Sequence, residues 1–265
     1  MKVENINSYS YKKYNTFKST NRTFFQRSAV RSFCQGEVSN FTYPFRKDID
    51  DWFALAKYVV ENFKNKDKIN VYSLACSDGS EAYTLAIVLK DLIKNKKVFP
   101  IIAVDKDSDI IEHANGGRIN LTCEDIIRIR DFLGDNQKYF TDIKDEAIIK
   151  DSKKQVINDW DYSFPKYYSY KVDKNLRSLV DFKSENLLNT LSKLQDDSNT
   201  FISCRNVIPY LTKPEQNKLF NFLETKLKKG SLVAVGKYDE RVDAEEMLRR
   251  GGFEETDIWF LYKKV

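Results

Sequence analysis

The sequence predicts an α/β protein with a mostly parallel sheet, helices between the strands, and a closing antiparallel hairpin. Three observations carry that expectation. In residues 69–83, INVYSLACSDGSEAY, an apolar run ends in a small polar turn around Gly79, and apolar residues then recur at helical spacing (Ala82, Leu85, Ala86, Leu89). In residues 98–107, VFPIIAVDKD, a second buried strand ends in Asp105. From residue 179 strand and helix patterns alternate again, and the tail FEETDIWFLYKKV reads as a hairpin.

The elements follow in chain order. Residues 1–19 are polar and rich in tyrosine, and read as a surface arm. Residues 48–64 place Ile49, Trp52, Phe53, Ala56, Val59, Val60 and Phe63 on one face of a core-facing helix. Residues 80–94 are the next helix, 98–105 the next strand, and 108–115 a short helix stopped by Gly116-Gly117. Residues 118–178 are less regular: the charged run KDEAIIKDSKK is followed by Trp160, Tyr162, Phe164, Tyr167, Tyr168 and Tyr170. Alternation in YYSYKV predicts short antiparallel strands. This span reads as a small β-subdomain inserted in a main domain of residues 48–265, with its aromatics forming a core of its own; residues 1–47 form an N-terminal arm and covering segment. SLVDFKSENLL gives a strand and a turn, and NTFISC (199–204) a strand ending in Arg205-Asn206. Residues 213–228 form a helix with Thr212 as cap, Pro214 near its start and Gly230 beyond its end. SLVAV (231–235) is a further strand, and Ala244–Arg250 a helix stopped by Gly251-Gly252.

Composition narrows the chemistry. The 265 residues carry 44 Lys and Arg against 39 Asp and Glu, a dispersed net charge of +5. That is too mild to require nucleic acid as a partner. One histidine, His113, leaves no room for histidine triads or His-rich metal sites. The four cysteines lack C-x-x-C spacing, so no metal is expected; Cys76 and Cys204 sit in apolar strand patterns and read as small buried hydrophobes. No leader is visible, and no apolar stretch approaches the ~20 residues that span a bilayer. A cytoplasmic protein is expected.

The glycine turn offers its own chemistry. Gly79 is the only glycine between Gly36 and Gly116, so neither a dinucleotide fingerprint nor a phosphate loop is present. A turn with few donors for phosphates fits a nucleoside ligand, with Gly79 either admitting it closely or serving packing. Glu81 in the first helical turn is placed to accept bonds from an amine or hydroxyls. Asp105, at the carboxyl end of the second strand, suits a ribose diol, or else is a turn acid. Asp107 is the better helix cap.

These segments together resemble the S-adenosylmethionine-dependent glutamate O-methyltransferases of the CheR family. SLACSDGSEAYTLA is similar to that family's strand, its S-T-G-E-E-P-Y turn and its helix. IIAVDKD resembles its A-x-D-I-D, FKSENLL its F-x-x-x-N-L-L, and FISCRNVIPYL its F-C-R-N-V-x-I-Y-F. TNRTFFQR at 20–27 resembles T-N-x-T-x-F-F-R, and QKYF at 137–140 a Q-x-Y-F ahead of the family's β-subdomain. The resemblance spans roughly residues 20–236 with the motifs in order.

The resemblance implies a Rossmann-like class I methyltransferase sheet. It implies adenosylmethionine contacts from Ala75, Gly79, Glu81, Asp105, Asn186, Leu187 and Asn206. Asn21, Thr23 and Arg27 would cover the cofactor, and Arg27 and Tyr210 would border the transfer site as catalytic residues. Apart from the resemblance, Asn186 and Asn206 are equally turn formers, Tyr210 a core aromatic and Arg27 a surface charge. The implied product is S-adenosylhomocysteine, and the implied partner a protein substrate such as an acidic or receptor-like helix. The chain departs from the pattern at Ser80 (for Glu), Ala82 (for Pro), Pro209 (for an aliphatic residue) and Gly236-Lys237-Tyr238-Asp239 (for G-H-S-E). The 19 residues before the first motif also leave no room for the family's basic helical domain. Two alternatives stand beside this reading: methylation of another kind of acceptor, and a non-catalytic module that senses adenosylmethionine or its product.

Overall fold

The structure is a computed structural model that describes residues 52–92, 98–122, 129, 139–142, 167–194 and 199–265. In chain order the elements are α1 (Trp52–Asn62), β1 (Asn70–Leu74), α2 (Ser80–Leu92), β2 (Ile101–Asp105), α3 (Ser108–Asn115), β3 (Arg118–Thr122), β4 (Phe140–Asp142) and β5 (Tyr167–Val172). There follow α4 (Lys174–Arg177), β6 (Val180–Ser184), α5 (Leu187–Ser192), β7 (Thr200–Ser203), α6 (Lys213–Lys226), β8 (Leu232–Ala234), α7 (Ala244–Arg250), β9 (Phe253–Glu255) and β10 (Leu261–Lys264). Two 3-10 turns, Ile208–Tyr210 and Lys237–Val242, follow β7 and β8.

The main sheet has seven strands in the order β6-β2-β1-β7-β8-β10-β9. The first five are mutually parallel, and β10 runs antiparallel to both β8 and β9. The expected parallel sheet with its closing hairpin is thus present. From β1 the chain steps outward to β2 and β6, then crosses back to β7 on the other side of β1. Such a reversal opens a crevice at the carboxyl ends of the strands, where open α/β sheets bind ligands.

Period-two alternation divides the strands between two cores. Val71, Ile101, Ala103, Phe201, Leu232 and Ala234 face one cluster with Trp52, Leu85, Leu89 and Ile110, from α1, α2 and α3. Leu74, Val104, Ile202 and Val233 face the other, with Leu191, Leu219, Leu223 and Leu248 from α5, α6 and α7. The inner strands β1, β2, β7 and β8 are largely buried on both faces because helices cover both, as parallel sheets require.

Several helix ends follow from single residues. Asp107 caps α3, accepting from the amides of Asp109 and Ile110. At the start of α6 the Glu215 carboxylate accepts from both the amide (2.8 Å) and the hydroxyl (2.7 Å) of Thr212, and Pro214 occupies the first turn. Tyr83, fully buried in α2, donates to the Ala114 carbonyl at 2.6 Å and meets the Phe182 ring edge-on.

A second sheet, ordered β3-β5-β4 and antiparallel, lies within residues 118–172. Much of the span read as an insertion, with Trp160, Tyr162 and Phe164, is outside the described residues. The described buried side chains Ile119, Tyr139, Phe140 and Val172 join the α1–α3 cluster, and Tyr170 packs against it. These residues therefore share the main core.

Candidate functional site

The crevice is built from five strand ends: the turn after β1, Asp105 closing β2, Ser184 to Asn186 after β6, Arg205-Asn206 after β7, and Gly236 to Asp239 after β8. The β1 turn is unusual in its backbone. Ala75 (φ 55°), Ser77 (φ 52°) and Gly79 (φ 81°) are all left-handed. A non-glycine residue there costs roughly 1–2 kcal/mol, so the turn must be held from outside. Asp105 holds it: Oδ2 accepts the Ser77 amide at 2.9 Å and Oδ1 the Asp107 amide at 3.2 Å. The Cys76 amide also donates to the Val104 carbonyl at 2.9 Å. Asp105 is nearly buried, 5% exposed.

Gly79 has the positive φ its sequence position called for, but the space of its missing Cβ is filled. A Cβ would lie 2.7 Å from the Phe182 ring and 3.1 Å from Ala114. That side of the turn packs against β6 and α3. Ala75, at the start of the turn, is half-buried.

Glu81 lies in the first turn of α2, as the sequence indicated, but both of its oxygens have protein partners. Oε1 accepts from Ser203 Oγ at 2.6 Å and Oε2 from Arg205 Nη1 at 2.7 Å. The Arg205 side chain is 1% exposed, that of Glu81 11%, and the guanidinium lies 5.2 Å from the centre of the Trp52 ring. This pair ties α2 to the end of β7 across the sheet reversal. Arg205 appeared in the sequence within the C-R-N motif and received no role. The available signal was an arginine closing an apolar strand, which demands a buried partner.

Asn206 is left-handed (φ 58°), its amide donates to Asp239 Oδ2 at 2.7 Å, and its Oδ1 accepts the Tyr238 amide at 3.0 Å. Asp239 is the second residue that sequence reading missed, having been counted only as a departure. Its fully buried carboxylate also accepts the amides of Gly236 (2.7 Å) and Ile208 (3.0 Å). It thereby fixes the turns after β7 and β8 together. Burial pushes its carboxyl up to about 6, an effect only partly offset by the three amides and the nearby Arg205.

A raised folded-state pKa means that the folded protein prefers protonated Asp239. That contribution is complete below the unfolded value and is lost as pH rises through about 6. Relative to Asp239→Asn, which cannot titrate, wild-type stability is therefore expected to fall by up to about 3 kcal/mol between roughly pH 4 and pH 7. Urea unfolding of both proteins across that range checks it; parallel curves would mean the carboxyl is not shifted.

Asn186 is exposed and caps α5, accepting the Leu188 amide at 2.8 Å, while Leu187 beside it is buried. Tyr210 ends the first 3-10 turn and is 63% exposed at the rim, so it is no core aromatic. Asn21, Thr23 and Arg27 lie outside the described residues. Cys76 and Cys204 are buried, and burial raises both thiols well above their ordinary range, which leaves them unreactive.

A reversed parallel sheet with an acid closing β2, a left-handed turn after β1 and an antiparallel closing hairpin defines a methyltransferase-type α/β fold. Residues 40–158 and 160–253 match the family described as CheR methyltransferase, SAM binding domain, and the chain belongs to that family. Among curated relatives, it is 28% identical to a chemotaxis protein methyltransferase of Borreliella burgdorferi over 75% of this chain and 63% of that protein. It is 25% identical to chemotaxis protein methyltransferase 2 of Pseudomonas aeruginosa over 83% of this chain and 70% of that one. The chain spans less than two thirds of the length of the first relatives it matches, 63%, 33% and 62%. A solved methyltransferase from Geobacter sulfurreducens covers 92% of this chain and 98% of its own at 12% identity and TM-score 0.43.

The described residues fit the family's cofactor by their donor set. S-Adenosylmethionine is a cation with a ribose diol and an ammonium group. Among the acids at the crevice are Asp105 at the end of β2 and Glu81 at the start of α2. A carboxylate at the position of Asp105 suits a diol, and Glu81 would have to share its carboxylate with Arg205.

Proposed function

We propose that this chain transfers a methyl group from S-adenosylmethionine to a side-chain carboxylate of a protein, with Asp105 holding the ribose diol. The carrying observation is the Asp105 carboxylate, anchored to the left-handed β1 turn at the point where the sheet reverses. Glu81 would meet the ammonium group, and Ala75, Asn186, Leu187 and Asn206 would border the remaining parts of the cofactor. The bound cofactor supplies an electrophilic methyl group. A glutamate nucleophile is already ionised near neutral pH, so no base is needed. What the protein contributes is in-line alignment, which can supply about 7–11 kcal/mol. Tyr210 and Arg27 would flank the acceptor carboxylate, with Asn21 and Thr23 covering the cofactor. We place the reaction in the cytoplasm, on an acidic or receptor-like helix. Among the described residues, no helix is long and apolar enough to cross a membrane.

Incubation of the protein with radiolabelled adenosylmethionine and a cell extract tests the reading. Base-labile methyl incorporation, lost when the acceptor Glu is changed to Gln, supports it. Base-stable incorporation would rule out a carboxylate acceptor. Binding of the cofactor without any incorporation would favour the sensor alternative.

Gly236 offers a separate check on Asn206. Its φ of −106° suits any residue, but a Cβ would lie 2.2 Å from Asn206 Oδ1. Gly236→Ala must therefore displace the Asn206 side chain from the Tyr238 amide. We expect calorimetry to show adenosylhomocysteine affinity lowered about fivefold, or about 1 kcal/mol. Unchanged affinity would remove Asn206 from the cofactor's surroundings.

A further inference from the structure

A second site lies outboard of the crevice, between the 3-10 turn Lys237–Val242, the start of α7 and the closing hairpin. It is a shallow pocket lined by Glu240, Glu245, Glu255, Trp259, Phe260 and Tyr262. Three features distinguish it from ordinary surface. Trp259 is 51% exposed on the β9–β10 connection, stacked on the buried Phe260 ring at 4.2 Å between centroids. Tyr262 is 2% exposed and lines the pocket, and its hydroxyl has no hydrogen-bond partner among the described residues. The hydroxyl is not sealed from solvent, so it is presented at the pocket as a donor and acceptor open to a ligand.

The third feature is charge. Glu240, Glu245 and Glu255 all raise the Tyr262 phenol electrostatically, beyond the larger effect of burial, to about 12. Arg249 answers two of them, pairing with Glu245 and standing 3.7 Å from Glu255. Two of the lining carboxylates are thus already faced by a guanidinium from α7. Glu240 has no ion pair among the described residues, and the neighbouring Arg241 is turned onto the Tyr238 ring at 4.9 Å. The balance is three carboxylates against one guanidinium, beside an open aromatic face.

We propose that this pocket binds the cationic side chain of a lysine or arginine from a protein partner. The indole face would attract the cation through its quadrupole. Glu240 would supply the opposing charge, and the Tyr262 hydroxyl oxygen would accept a hydrogen bond from the ammonium or guanidinium. A neutral or anionic side chain gains none of these. Gly236 lines the pocket and packs against Asn206. A partner held here would thus lie beside the crevice. The proposal does not depend on the methyl-transfer reading.

The test follows tryptophan fluorescence of the full chain during titration with N-acetyl-lysine methylamide and N-acetyl-arginine methylamide. N-acetyl-norleucine methylamide is the neutral control, and Trp259→Phe assigns the signal. The expected result is saturable millimolar binding of the two cations, absent for norleucine. Glu240→Gln should weaken it at least threefold and Tyr262→Phe measurably. Equal binding of norleucine, no saturable signal, or an unchanged affinity in Glu240→Gln would overturn the proposal. Glu240 is exposed, so its replacement spares the core and that comparison decides. Calorimetry with adenosylmethionine on the same samples reports the cofactor site independently.

Discussion

Replacing Arg205 by methionine is expected to destabilise the protein by about 3–5 kcal/mol, the cost of leaving one member of a buried ion pair alone. Methionine approximates the arginine stem in volume, so the change removes charge rather than packing. Glu81 would keep only its bond from Ser203 Oγ, in a position where its side chain is 11% exposed. The guanidinium would also vanish from the Trp52 face. A domain of this size shifts its melting temperature by roughly 2–4 °C per kcal/mol, so a fall on the order of 10 °C should be seen. The double change Arg205→Met with Glu81→Gln should recover a large part of it, because the orphaned charge is gone. A loss below 1 kcal/mol in urea unfolding by the single variant would show that water reaches Glu81 and the pair is not effectively buried.

Asp105→Ala is expected to weaken both adenosylmethionine and adenosylhomocysteine by tenfold or more, about 1.4 kcal/mol, in a calorimetric titration. Two losses combine. The ribose diol would lose its acceptor, and the Ser77 amide would lose the 2.9 Å bond that anchors the left-handed turn. Asp105→Asn separates them. Its carbonyl oxygen can still accept from Ser77 while the charge is removed, so its affinity should fall between wild type and alanine. Wild-type affinity in a folded Asp105→Ala protein would remove this residue from the cofactor site. No binding by the wild type itself would mean that the fold is kept without its ligand.

The same two residues show how far the sequence could be read. Asp105 was legible because a parallel strand puts its last residue on the ligand edge, and the apolar run IIAV ending in an acid fixes which residue that is. The helix caps were legible for a similar reason: Asp107, Thr212 and Pro214 act within three residues of themselves. The alternation of strands and helices, the two-faced apolar strands and the final hairpin came from short-range periodicity, which needs no tertiary information.

Pairing across the sheet was not legible. Glu81 and Arg205 are 124 positions apart and meet only because the chain reverses direction beside β1. The sequence marked Glu81 as a ligand acid; its carboxylate also neutralises an arginine from the far side of that reversal. Asp239 looked like a lost motif until its carboxylate was seen to collect amides from Asn206 and Ile208, 33 and 31 positions away. Gly79 could equally admit a ligand or serve packing, and only the fold shows that Phe182 fills the space on its Cβ side. Local pattern determined which residues form each element and which acids reach the open edge of the sheet. The tertiary structure decided what each of those acids is bonded to, because burial makes partners obligatory and only the topology brings the partners into reach.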